Sequence, residues 1–75
     1  MKSPRDLKLL KRFGAHLQKL RKEKEFSIRG LADEADIDFS YIIQLEKGDK
    51  NPSFLMLHKL ADALRISIHE LVDIK

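Results

Sequence analysis

Cysteine is absent from this 75-residue sequence, so neither a disulfide nor a cysteine-ligated zinc site can stabilise its small core. No apolar run approaches the ~20 residues that cross a bilayer, and the charged N-terminus lacks the apolar segment of a signal peptide. A glycine-rich phosphate loop is also absent, and no stretch keeps the alternating apolar pattern of a strand. These absences predict a cytoplasmic, all-helical protein rather than a membrane-spanning or secreted one.

The composition and the charge pattern suit a small globular domain. Hydrophobic residues make up 43% of the chain and charged residues 36%, which is too apolar for disorder, and the length predicts one domain over residues 1–75. Residues 1–25 carry nine basic and three acidic side chains, a net charge of +6, whereas residues 26–48 carry two basic and five acidic ones, a net charge of −3. A basic segment is compatible with nucleic acid, although a solvated helix face is the commoner meaning of such a run.

Apolar residues recur at three- and four-residue spacing along the chain, which predicts five helices. The predicted N-cap residues are Ser3, Ser27, Asp38, Ser53 and Ser67. We expect the first helix to end near Lys24, the second near Ala35 and the third at Gly48. Only a tight turn separates the second and third helices, as a helix-turn-helix over about residues 28–47 requires. Gly30 lies inside the second helix at a propensity cost of ~1 kcal/mol, which predicts that another backbone approaches it closely.

The central part of the chain resembles the Cro/C1-type (XRE) helix-turn-helix repressor domain, in the segment LQKLRKEKEFSIRGLADEADIDFSYIIQLEKGDKNPS. The matching residues are Leu17, Leu20, Arg21, Ser27, Leu31, Ala32, Ile37, Tyr41, Ile42, Leu45, Glu46, Gly48, Pro52 and Ser53. The resemblance continues through LHKLADALRISIHEL and covers roughly Phe13 to Val72. It implies an all-α, five-helix, lambda-repressor-like fold. It also implies a sequence-specific transcriptional regulator that binds operator DNA through the major groove.

The resemblance implies roles for individual residues. The base-contacting candidates are Phe39, Ser40 and Gln44. The phosphate-contacting candidates are Ser27, Lys47, Lys50 and Asn51. Among the base-contacting candidates Gln44 is the strongest, because its amide can pair with N6 and N7 of adenine. For each candidate the alternative is a solvated surface side chain, and for Ser27 a helix cap alone. Arg21 and Glu46 are expected to form a buried or half-buried ion pair between the first and third helices, the alternative being two unrelated surface charges.

Four residues depart from the family pattern. Asp36 replaces the usual turn glycine, but aspartate tolerates the left-handed conformation, so the turn is expected to survive. Ile28 stands where the family often has glutamine, and Ile43 is apolar where the family is often polar. Asp38 adds negative charge near the phosphates. Together these departures predict weaker, more phosphate-led binding, or a target with well-placed thymine methyls. Phe39 joins Ile28 and Ile43 as the apolar side chains that distinguish this protein from an ordinary repressor. They also keep open the alternative of a protein-interaction module, antitoxin-like or coactivator-like, with weak DNA binding.

Apolar residues on the fourth helix and near the C-terminus predict self-association. They are Leu55, Met56, Ile68 and Ile74. A homodimer through the fourth helix, the fifth helix and the C-terminal end would set two recognition helices about one DNA turn apart, ~34 Å. Partial burial within the monomer, in particular of Ile66 and Ile68, is the alternative.

The histidines do not suggest a metal site. His16, His58 and His69 lie on different predicted helices without a carboxylate cluster at ligand spacing, so surface or packing roles are expected. No nucleophile and base occur in a catalytic pattern. We therefore expect a protein that is not an enzyme, with no cofactor, metal or small-molecule substrate and with double-stranded DNA as its partner.

Overall fold

The computed structural model describes residues 2–74 and consists of five helices joined by short loops. They are α1 (Pro4–Glu23), α2 (Ile28–Ala35), α3 (Phe39–Lys47), α4 (Phe54–Leu64) and α5 (Ile68–Val72). Residues 2–74 contain no strand, and none of their helices is long and apolar enough to cross a membrane. The predicted all-α, five-helix architecture is confirmed.

Four helices begin at a serine whose hydroxyl accepts a hydrogen bond from the backbone N–H three residues further on. These serines are Ser3, Ser27, Ser53 and Ser67. Each bond satisfies one of the N–H groups that the first turn of a helix leaves unpaired. Asp38 occupies the N-cap position of α3, but its carboxylate makes no bond to the helix backbone and instead accepts one from the Ser40 hydroxyl. Asp38 is therefore the N-cap residue of α3, as predicted, but the prediction that its side chain caps the helix is wrong.

The turn between α2 and α3 passes through Asp36, which adopts the left-handed conformation at φ 56°. Its backbone N–H donates to the carbonyls of the last turn of α2 and so closes that helix. The expectation that the turn survives, with aspartate in the left-handed conformation, is confirmed. Glu25 and Arg65 adopt the same conformation, at φ 61° and 57°, beyond the ends of α1 and α4. Gly48 ends α3 at φ 81°, as predicted.

Backbone approaches backbone closely at Gly14, where α1 packs against α3, and also at Gly48, where a Cβ atom would lie 2.8 Å from Cα of Lys11. A Cβ atom on Gly14 would lie 2.5 Å from the carbonyl oxygen of Glu46, a distance that side chains do not tolerate. A Cβ atom on Gly30 would instead meet side-chain atoms, Oγ of Ser27 at 3.1 Å and Cδ1 of Phe26 at 3.4 Å. The prediction of a close backbone at Gly30 is therefore wrong.

The core lies where α1 packs on α3 and α5 and where α2 packs on α3 and α4. Its fully buried side chains are Leu17, Leu31, Ile42, Leu45, Leu60, Leu64 and Leu71. Burying one such side chain stabilises the fold by about 1.5–3 kcal/mol. His16 also joins two helices, because its Nε2–H donates to the Glu70 carbonyl at 2.7 Å. Since Ile42 and Leu45 hold the inner face of α3 in this core, the opposite face of that helix is left at the surface.

Candidate nucleic-acid interface

The outer face of α3 carries three exposed polar side chains in one row. Ser40, Gln44 and Lys47 follow one another at spacings of four and three residues, which is the spacing of neighbours on a helix surface. The Ser40 hydroxyl donates to the Asp38 carboxylate. This row therefore offers an amide and a cation to a partner, with a hydroxyl whose proton is already engaged.

Other phosphate-contacting candidates lie at the two ends of this face. The Ser27 hydroxyl is exposed and accepts from the Gly30 N–H, so it serves as a cap at the start of α2. Lys50 and Asn51 are exposed in the loop that follows α3.

The basic helix α1 lies against the same loop, which sequence reasoning did not foresee. A Cβ atom on Gly48 would lie 2.7 Å from Cγ of Lys11, so the Lys11 stem packs directly on the end of α3. The exposed cations at this end of the site are therefore Lys11, Lys47 and Lys50. The charge excess of residues 1–25 was visible in the sequence. Its position beside this loop depends on how α1 packs against α3.

An ion pair fixes α3 relative to α1. The Arg21 guanidinium donates from Nε to Oε2 of Glu46 at 2.6 Å and from Nη2 to Oε1 at 3.1 Å. Its Nη1 donates to the Phe26 carbonyl at 2.8 Å, just before α2 begins. The side chains of Arg21 and Glu46 are only 8% and 7% exposed. The pair is thus bidentate and buried, and it links α1, α3 and the segment leading into α2.

Phe39 occupies a different environment from the other base-contacting candidates. Its side chain is half-buried and packs against the core. The guanidinium carbon of Arg29 lies 4.1 Å from the centroid of the Phe39 ring, the geometry of a cation–π contact. Sequence reasoning did not single out Arg29. The signal was available, since Arg29 and Lys47 are the two basic residues between positions 26 and 48.

The three apolar departures from the family pattern lie together. Ile28, Phe39 and Ile43 line one open surface depression between the start of α2 and the outer side of α3, beside Arg29. Among residues 2–74, no cluster of histidine, aspartate and glutamate side chains is arranged to hold a metal ion.

The arrangement of α2 and α3 is that of a helix-turn-helix motif. A tight turn through the left-handed Asp36 joins the two helices, and the second helix has an exposed polar face. The family model described as Helix-turn-helix matches residues 17–71. The chain belongs to this family.

Similar proteins include both short regulators and longer ones. The control protein C.MunI from a Mycoplasma species is 40% identical over 67 residues, which are 88% of each chain. The HTH-type transcriptional regulator SinR of Bacillus subtilis is 36% identical over 63 residues, which are 83% of this chain but 57% of SinR. The present chain thus spans little more than half the length of that relative.

Solved structures give the same fold. The restriction-modification controller protein C.AhdI from Aeromonas hydrophila superposes with a TM-score of 0.80 at 41% identity, covering 85% of this chain and 96% of that one. SinR in complex with DNA superposes with a TM-score of 0.77 at 35% identity, covering 81% of this chain and 98% of that one. These relatives are named as regulators or controllers, and one of them has been solved on DNA.

Proposed function

We propose that this protein is a sequence-specific DNA-binding transcriptional regulator, with α3 lying in the major groove of operator DNA. The observation that supports this most directly is the exposure of Ser40, Gln44 and Lys47 on one face of α3. Ile42 and Leu45, both fully buried, hold the other face in the core. The major groove of B-DNA is wide enough to admit a helix presented in this way.

Different residues at this face contact the DNA bases and the DNA backbone. Gln44 is the base-contacting residue, because its amide can donate to and accept from an adenine edge. Lys47, Lys50 and Asn51 contact phosphates, and Ser27 with the amide end of α2 adds a further backbone contact. These contacts orient α3 so that Gln44 reaches the base edges.

The electrostatic attraction comes mainly from outside the motif. Residues 26–48 carry a net charge of −3, whereas residues 1–25 carry +6. Lys11 of α1 packs on Gly48, beside the loop that holds Lys50. We therefore expect α1 and this loop to supply most of the phosphate-led affinity.

We also propose that the protein binds DNA as a homodimer through α4 and α5. Phe54 and Leu55 at the start of α4 are 73% and 67% exposed, and Val72 at the end of α5 is 44% exposed. Large apolar side chains at the surface mark association sites when they form a patch. Met56, Ile68 and Ile74 are only half-buried and pack against the core, so they border such an interface rather than form its centre.

The names of two relatives support a proposal about which genes this protein regulates. Two relatives matched over most of both chains are named as a control protein and a restriction-modification controller protein. We therefore propose control of restriction-modification genes, a role that would be carried out in the cytoplasm.

Selection of binding sites from a random double-stranded DNA pool tests the function. We expect the wild-type protein to enrich one motif with two related half-sites, and its affinity for that motif to fall steeply as salt is raised. A restriction-modification gene beside the motif in the source genome would support the narrower role. Failure to enrich any motif at low salt would contradict the proposal.

A second candidate, a protein-interaction module, has one observation in its favour. The depression is lined by Ile28, Phe39 and Ile43 together with Arg21, Ser27 and Arg29. Its surface is mostly apolar, and it lies on the side of the motif that would face DNA. On this reading the face binds an apolar partner, and binding persists at high salt because it does not depend on released counterions. The same salt series therefore separates the two candidates.

A further inference from the structure

We propose that Arg29 contacts DNA and that Phe39 is the residue that positions it. The proposal rests on the proposed function, because it requires the start of α2 and the outer face of α3 to lie against the duplex. It assigns a role to two side chains that meet across the helix-turn-helix, one from each of its helices.

The contact between them is well defined. The Arg29 guanidinium carbon lies 4.1 Å from the Phe39 ring centroid. Phe39 is half-buried and packs against the core, so the ring is a fixed platform. Arg29 is exposed on the second position of α2. The stack therefore restrains an exposed, flexible side chain beside the row formed by Ser40, Gln44 and Lys47.

The stack occupies only one part of the guanidinium. An aromatic ring contacts the flat face of the group, whereas its N–H donors point outward in the plane. That planar fork matches a pair of acceptors, either two oxygens of a phosphate or O6 and N7 of a guanine. A guanidinium already held in position loses less conformational freedom when it binds, so the contact forms at lower entropic cost.

The charge pattern points to the same role. Residues 26–48 contain five carboxylates and two cations, Arg29 and Lys47. Lys47 lies at the end of α3 and Arg29 at the start of α2, so the cations of the motif lie at the two ends of its outward face. If Arg29 merely covered the Phe39 ring, its loss would alter stability without altering DNA binding.

This inference changes the role of Phe39. As a base-contacting residue, Phe39 would need a free ring surface to pack on a thymine methyl, but Arg29 covers one face of the ring and the core contacts part of the rest. Phe39 then acts through Arg29, while Ile28 and Ile43 form the apolar walls beside the stack.

The test measures affinity of the full chain for the motif enriched by wild-type protein, over a range of salt concentrations. Arg29→Ala should weaken binding about ten- to hundredfold. Phe39→Leu keeps an apolar side chain against the core but removes the ring, and it should weaken binding about three- to tenfold with little change in melting temperature. The double variant should bind like Arg29→Ala alone, because Phe39 acts through Arg29. Arg65→Ala, which removes an exposed arginine beyond the end of α4, is the charge-matched control and should change binding less than about threefold.

The two possible acceptors give different results. A phosphate contact predicts the same loss on every DNA sequence and a salt slope smaller by about one per protomer. A guanine contact predicts that repeated selection with Arg29→Ala loses the preference for guanine at one position of each half-site. Either result supports the inference.

Three results would overturn it. If Arg29→Ala bound the enriched motif as tightly as wild type, the inference would fail while the proposed function stood. If the losses from Arg29→Ala and Phe39→Leu simply added, Phe39 would have no positioning role. If the wild-type protein enriched no DNA at all, the inference would fail together with the proposed function.

Discussion

The buried pair of Arg21 and Glu46 is the residue-scale feature on which the geometry of α3 depends most. Its two hydrogen bonds join α1 to α3, and a third bond from Arg21 reaches the Phe26 carbonyl. A carboxylate and a guanidinium this well shielded are stable only together, because a lone buried charge has lost its hydration without a replacement. The pair therefore keeps the outer face of α3 aimed in one direction.

Glu46→Ala should lower the free energy of unfolding by about 3–5 kcal/mol, since it leaves Arg21 buried without its partner. Chemical denaturation, with helicity followed by circular dichroism, measures this directly. Glu34→Ala removes an exposed carboxylate from α2 and serves as the control, with an expected change within about 0.5 kcal/mol. An unfolding midpoint for Glu46→Ala that matches wild type would show that the pair has no structural role.

Residue-scale contacts were the least predictable from the sequence. The resemblance to a family pointed to Arg21 and Glu46 as partners, although they are separated by 25 positions. Nothing local pointed to the stack of Arg29 on Phe39, because it depends on the angle between two helices. The Asp38 side chain was misassigned for a similar reason. Cap preferences indicate which residue begins a helix, but not that a neighbouring hydroxyl will engage its carboxylate first.

At the scale of whole elements, the sequence predicted the helices well because their ends are locally encoded. Serine caps mark four starts, and the left-handed ends at Asp36 and Gly48 follow from residue type. Packing between helices is a long-range property, and there the sequence was misleading. It drew attention to Gly30, whereas the close backbone contacts between α1 and the end of α3 are at Gly14 and Gly48.

Gly14→Ala should therefore be strongly destabilising, by about 1–3 kcal/mol or more, although alanine is the better helix former. The added methyl group would meet the backbone carbonyls at the end of α3, and backbone cannot move aside as a flexible side chain can. Gly30→Ala is the matched control, because its methyl would meet only side-chain atoms at 3.1 Å and beyond. Thermal unfolding of the two variants should show a far larger loss for Gly14→Ala. Equal melting temperatures would mean that α1 and α3 can separate at little cost.

At the scale of the whole molecule, the most exposed apolar side chains and the excess positive charge lie on different elements. The most exposed large apolar residues, Phe54 and Leu55, begin α4, whereas the excess positive charge lies on α1. This separation suits a protein that associates with a second copy through one surface and with phosphates through another. The sequence predicted apolar residues at the α4 surface, but it could not distinguish the exposed Leu55 from the half-buried Met56.

Leu55→Lys should convert the proposed dimer into a monomer, because a lysine in the centre of an apolar interface would lose its hydration without a partner. Sedimentation or light scattering at micromolar concentration measures the change as a halved mass. Leu9→Lys, at a leucine of α1 that is 48% exposed, is the control and should leave the mass of a dimer. A monomeric wild-type protein, or a dimer that survives Leu55→Lys, would contradict the proposed interface.

The central claim is that the outer face of α3 recognises a particular DNA sequence, and the affinity of Gln44→Ala tests it most directly. Gln18→Ala, which truncates an exposed glutamine of α1, is the matched control. On the motif enriched by wild-type protein, Gln44→Ala should weaken binding by about 1–3 kcal/mol and relax the preference at one base pair of each half-site, because one amide contact to a base edge is lost. Gln18→Ala should bind like wild type. If Gln44→Ala kept both the affinity and the base preference of the wild-type protein, recognition would not lie on this face of α3.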